Sequence, residues 1–127
     1  MTGPGLGEAL AVAATVVLLF DVTVVMVTRA AATESIGRNH VAGIRLPSLM
    51  RSDASWRAGH QAAYPPTVIG AVVSAVVAVV SVALSATVTP YVVALAASIG
   101  SALVGITIGV VRAHRAATAV TGETAAR

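Results

Sequence analysis

Three stretches of the chain are apolar at nearly every position. They run from Leu6 to Thr28 (LGEALAVAATVVLLFDVTVVMVT), from Thr67 to Val88 (TVIGAVVSAVVAVVSVALSATV) and from Pro90 to Val111 (PYVVALAASIGSALVGITIGVV). Each reaches the length of about 20 residues that crosses ~30 Å of hydrocarbon as a helix. Their many Val residues favour strands in water. In lipid each backbone N–H and C=O must be satisfied within the structure, so helices are predicted. Thr67 to Val111 as one helix would be roughly 67 Å long, so the chain must turn at Thr89-Pro90, giving a tight hairpin. The expected fold class is all-α: a polytopic membrane protein with three transmembrane helices, over residues 1–127 as a single domain.

The polar positions gather between the first two spans, in residues 29–66. The piece GIRLPSLMRSDASWRAGHQAAYPP (Gly43–Pro66) holds the one Trp, three of the eight Arg and three of the five Pro. Ser52 suits an N-cap, and Asp53 suits the positive end of a helix. Asp53 and Arg57 stand i,i+4 in the favourable order. Trp56, His60 and Ala63 share one face; Arg57, Gln61 and Tyr64 share another. Pro65 disfavours helical geometry at Tyr64, and Pro66 suits the first turn of the second span. This predicts a short interfacial helix in the first loop, with Trp56 as its membrane anchor. Before it, Gly37, Asn39, Gly43 and Pro47 mark a structured loop, with Ile44, Leu46, Leu49 and Met50 dipping into the membrane surface. Residues 112–127 begin with Arg112 and Arg115 as interfacial stops and are expected to be disordered beyond them.

Composition sharpens this picture. The chain is 57% hydrophobic and only 10% charged, with mean hydropathy +0.89. A soluble domain carries about 25% charged residues. All basic residues are Arg, and there is no Cys, so Schiff-base lysines, disulfides and thiolate sites are excluded. The net charge of +3 is too small and too dispersed to indicate nucleic-acid binding. No Arg precedes the first span, five (Arg29, Arg38, Arg45, Arg51, Arg57) follow it, none lies in the hairpin turn, and Arg112, Arg115 and Arg127 close the chain. The positive-inside rule then places loop 29–66 and tail 112–127 in the cytoplasm and the N-terminus outside. The first apolar run is longer than a signal-peptide core and lacks a basic leader, so it is expected to remain as a span.

Several residues are candidates for chemistry. Arg45 could hold a lipid phosphate or a peptide carboxylate, or tie the loop to the carbonyls at a span end. His60 could titrate near neutrality. His40, His60 and His114 are too scattered for a metal site, and neither metal nor cofactor is expected. Asp21 lies within the first span, where a charge costs about 2.5–3.5 kcal/mol, so it should face the bundle. It could serve as a proton or cation site, hydrogen-bond to Ser or Thr of another span, or meet Arg45. Ala97, Ser101, Gly105 and Gly109 form a small-residue face on the third span, matched by Gly70, Ser74, Ala78, Ser81 and Ser85 on the second. Such faces let helices approach closely, within the hairpin, in a homo-oligomer or against a larger protein. No nucleophile–base pair, carboxylate dyad or phosphate-binding Gly loop is visible, so no enzymatic activity is expected.

The stretch RNHVAGIRLPSLMRSDASWRAGHQAA resembles the signature of the SdpI family of bacterial integral membrane proteins. The matching positions are Asn39, Gly43, Ile44, Arg45, Pro47, Ser52, Trp56 and His60; Leu46 stands where the family usually has Thr. The resemblance extends over about residues 10–112, a short three-span form. It implies a multi-pass protein of the bacterial plasma membrane. The founding member, which carries additional spans, is an immunity protein against a secreted killing peptide and also sequesters a transcriptional repressor. The function implied is therefore resistance to a membrane-active peptide toxin or a related envelope role, with lipids and such a peptide as partners. The alternatives are an accessory scaffold subunit of a larger membrane complex and, through Asp21, a small proton-coupled transporter.

Overall fold

A computed structural model describes residues 5–126. Three long helices dominate: α1 (Leu6–Ala32), α2 (Asp53–Ala83) and α3 (Val88–Ala125). A single 3₁₀ turn, Leu49–Arg51, interrupts the first loop. All three helices are long and apolar enough to cross a membrane, and the chain is a multi-pass membrane protein. α2 lies in the middle, with α1 and α3 packed on it and touching each other little.

The surface is inverted relative to a soluble bundle. Large apolar side chains face outward along every helix, such as Leu19 (62% exposed), Val76 (59%) and Val93 (64%). The interior is small and polar: Ser74, Ser81, Ser98 and Ala78 are fully buried. Between lipid and protein there is no hydrophobic gain from burying Val, so close backbone packing decides which face turns inward. Gly70 and Gly105 meet backbone to backbone, and a Cβ on Gly105 would lie 2.7 Å from the Gly70 Cα and the Pro66 carbonyl oxygen. Farther along the same interface, Ser98 Oγ donates to the Ser74 carbonyl at 2.7 Å, and the two hydroxyls lie 3.0 Å apart. At the turn end of the bundle, Tyr91 Oη donates to Leu10 O at 2.7 Å and ties α3 to α1.

Three expectations from the sequence are corrected. The short interfacial helix is not a separate element: residues 53–64 are the first turns of α2, which continues through Pro65 and Pro66. Those prolines remove two intrahelical hydrogen bonds. The helix is nevertheless held on both sides of them, because Ala63, Pro66 and Thr67 are buried and the α3 backbone lies directly against Pro66. The hairpin turn is residues 84–87, not Thr89-Pro90. Pro90 sits in the first turn of α3, where an N–H would have no intrahelical partner, so the helix starts ahead of it. The tail is helical: α3 continues to Ala125, about 57 Å in all, well past the ~30 Å hydrocarbon layer. Arg127 and residues 1–4 lie outside the described residues.

Candidate functional site

The C-terminal end of α1, loop 33–52, the start of α2 and the extension of α3 come together at one end of the bundle. Their apolar centre is Ala31, Leu49, Trp56, Ala63, Ala113 and Ala117, all essentially without exposure. Ile36, Ile44, Leu46 and Met50 pack around it. Those loop residues thus fold onto the protein itself rather than into lipid. Trp56 is only 1% exposed, so it is the core of this cap and not a surface anchor.

The cap is assembled by specific polar contacts. Asn39 Oδ1 accepts from the Val41 and Ala42 amides at 2.9 and 2.7 Å, while its Nδ2 donates to Gly37 O at 2.8 Å. This pattern stabilises a tight turn. Gly43 follows with φ +93°, where an L side chain is strained. A Cβ there would also lie 2.8 Å from His60 Nε2 and 2.9 Å from Trp56 Cη2. The turn places the Ile44 amide 2.9 Å from His60 Nε2, which accepts from it. His60 Nδ1 lies 2.8 Å from the Trp56 carbonyl, which can only accept. The imidazole is therefore neutral with its proton on Nδ1. His60 precedes the apolar run of α2, and burial lowers its pKa below the ordinary histidine value. The Trp56 and His60 rings are tilted against each other with centroids 4.2 Å apart, and Trp56 Nε1 donates to Ile36 O at 3.2 Å.

The remaining contacts fasten the rim. The Arg45 guanidinium donates to the His40 carbonyl and stays otherwise exposed, as does Pro47. Leu46 O receives the Leu49 and Met50 amides at 2.9 and 3.1 Å, closing the turn after Pro47. Ser52 caps α2 by accepting from Ser55 N at 3.0 Å. Asp53 pairs with Arg38 at 2.6 Å rather than with Arg57, which pairs with Glu34 at 3.0 Å. Both pairs are exposed and contribute little on their own. Gln61 Nε2 donates to Ala32 O at 3.2 Å, satisfying a carbonyl at the end of α1.

Some of the cap's residues carry no local signal in the sequence. Ser48 Oγ lies 2.9 Å from His114 Nδ1, linking the loop to α3 across 66 positions. Gly59 admits Leu49, whose Cδ2 would lie 2.7 Å from a Cβ at that position. Neither a serine before a hydrophobic pair nor a glycine inside a helix announces such a partner.

Asp21 stands apart from the cap. It is 3% exposed and neither carboxyl oxygen has a hydrogen-bond partner. It lies among Phe20, Val24, Thr67, Ala71, Ala102 and Ile106. The Ser74 hydroxyl faces it but is engaged with Ser98, and Arg45 is bonded to His40 instead. Of the small-residue face, Gly105 and Gly109 lie against α2, while Ser101 Oγ bonds back to Ala97 O at 2.8 Å within α3.

The chain matches the sequence profile of the SdpI/YfhL protein family over residues 35–111, which takes in the folded loop, α2 and most of α3. It belongs to the SdpI/YfhL family. No curated protein and no solved structure matches it. In this SdpI/YfhL protein, most of the residues that carry the family resemblance have an identifiable task in building the cap. Asn39 and Gly43 shape the turn, Arg45 holds it closed, Ser52 starts α2, and Trp56 and His60 form the surface on which the loop is folded. With both ring nitrogens engaged, His60 is a positioning residue and not a free base or metal ligand. Among the exposed groups that the cap presents are the tip around Val41, which is 89% exposed, and Arg45 and Pro47 beside it.

Proposed function

We propose that this chain is an SdpI-like protein of the bacterial plasma membrane that confers resistance to a membrane-active peptide. Its cap and tail face the cytoplasm, and its N-terminus faces outward. The observation that carries this reading is the family match across the loop and the two following helices. The distribution of Arg supports the orientation: among the described residues the cap end of the bundle carries every Arg, and the turn at 84–87 carries none. The exposed tip at Val41, Arg45 and Pro47 is the natural surface for a cytoplasmic contact. No enzymatic role is assigned to any residue.

Deleting the gene and challenging the cells with a panel of membrane-active peptides tests the proposal. Sensitivity to at least one peptide is expected to rise severalfold and to return to the parental level on complementation. Unchanged sensitivity across the panel, together with co-purification in mild detergent with a larger membrane complex, would support the accessory-subunit reading instead.

A further inference from the structure

An open apolar groove of about 610 Å³ runs along one side of the α2–α3 pair. Gly70 and Val73 of α2 and Val104 of α3 line it, and Gly100 leaves it wide near its Ala97 end. α1 lies toward the opposite side of α3, across a small apolar cavity lined by Ile99, Ala102 and Leu103, and leaves the groove open to lipid. Along α3 the groove extends from Ala97 to Arg112, about 22 Å at 1.5 Å per residue. One leaflet contributes about 15 Å of hydrocarbon, so the groove spans a leaflet and ends in the headgroup region. Arg112 closes that end. It is exposed and has neither a hydrogen bond nor an ion pair among the described residues. No acidic side chain lines the groove.

An apolar slot one leaflet long that ends on an unpaired guanidinium has the chemistry of a phospholipid with an anionic headgroup. We propose that the groove binds one such lipid, its acyl chain between α2 and α3 and its phosphate on Arg112. Arg offers a planar fork of donors that matches phosphate oxygens two at a time. A basic position between helices at the membrane surface is a recurrent headgroup site. A second copy docked symmetrically in the same groove would bring its own Arg112 to the same level of the membrane, and like charges would oppose it. The proposal requires only that α2 and α3 lie in a bilayer, and stands whether or not the chain confers peptide resistance.

Native mass spectrometry of the full chain, with phosphatidylglycerol and phosphatidylcholine of matched chain length at equal concentration, tests it. Bound phosphatidylglycerol is expected to exceed phosphatidylcholine by about fivefold, as one favourably placed Arg supplies. Arg112→Gln should bring the ratio close to one. Gly100→Leu should lower the occupancy of both lipids. A Cβ at Gly100 meets nothing within 4 Å, so leucine there fills the groove without disturbing the helix contact. Equal binding of both lipids by the wild type, an unchanged ratio in Arg112→Gln, or unchanged occupancy in Gly100→Leu would each overturn the proposal. So would a lipid-free dimer. Should Gly100→Leu fail to fold, the exposed Arg112→Gln decides the question alone.

Discussion

Trp56→Ala is expected to destabilise the protein by about 3–5 kcal/mol, the range for removing a fully buried aromatic side chain. The ring is 1% exposed and is covered by the loop, by Leu49 and by the α3 extension at Ala113 and Ala117. Its loss leaves a cavity at the centre of the cap and removes the donor to Ile36 O. It also removes the surface on which His60 is stacked and against which Gly43 is folded. Titration with a denaturing detergent, followed by circular dichroism, measures the global part. Amide hydrogen exchange at Ile44, whose N–H is bonded to His60, reports the cap itself. Trp56→Phe should lose much less, because it keeps most of the buried ring and gives up one hydrogen bond worth about 1 kcal/mol. A tryptophan that merely anchored a surface helix would give near-wild-type stability and exchange in both variants, and that result would refute the cap.

The second large effect is at the helix crossing. Gly105→Val is expected to disrupt the α2–α3 hairpin, with a loss of at least about 3 kcal/mol, at the upper end of overpacking costs. The obstructing atoms are backbone, the Gly70 Cα and the Pro66 carbonyl oxygen at 2.7 Å from a Cβ, so no rotamer change relieves the clash. The matched control is Gly100→Ala on the same helix, where the new Cβ meets nothing within 4 Å. It should be neutral or stabilise by up to about 1 kcal/mol through helix propensity. Melting both variants in the same detergent gives the comparison, and Gly105→Val melting with the wild type would show that the two helices do not cross there.

The three membrane helices were legible because hydropathy alone identifies a run of about 20 apolar residues, and their helical form follows from the backbone's need for partners in lipid. The packing face was legible in part: Gly70, Ser74, Ala78 and Ser81 recur along α2 and are all buried. The cap was not legible, because its core depends on pairs far apart in the chain. Trp56 next to an apolar run looks like an interfacial anchor until Ile36, Leu49 and Ala113 are brought over it. The tail RAHRAATAVTGETAAR looks disordered because Ala113 and Ala117 carry little hydropathy, yet they suit a close contact with Leu49 and Trp56. Pro65-Pro66 looks like a helix boundary because local geometry disfavours continuation. Tertiary packing of Ala63, Pro66 and Thr67 against α3 overrides that preference. Asp21 was legible as an inward-facing group, and its burial agrees with that; the expected serine of another span is Ser74, whose hydroxyl faces it, while Arg45 is bonded elsewhere.

The signature loop forms a cap on one end of three membrane helices, and the 84–87 turn lies at the far end; the proposed orientation puts the cap on the cytoplasmic side. The chain has no cysteine, so single cysteines can be placed without background. Val41→Cys marks the exposed tip of the cap, and Ala86→Cys marks the exposed turn. Labelled in intact cells with a membrane-impermeant maleimide that has access to the outer face, Ala86→Cys should react at once. Val41→Cys should react only after the membrane is permeabilised. Reaction of Val41→Cys in intact cells, or of both positions from the same side, would contradict the arrangement.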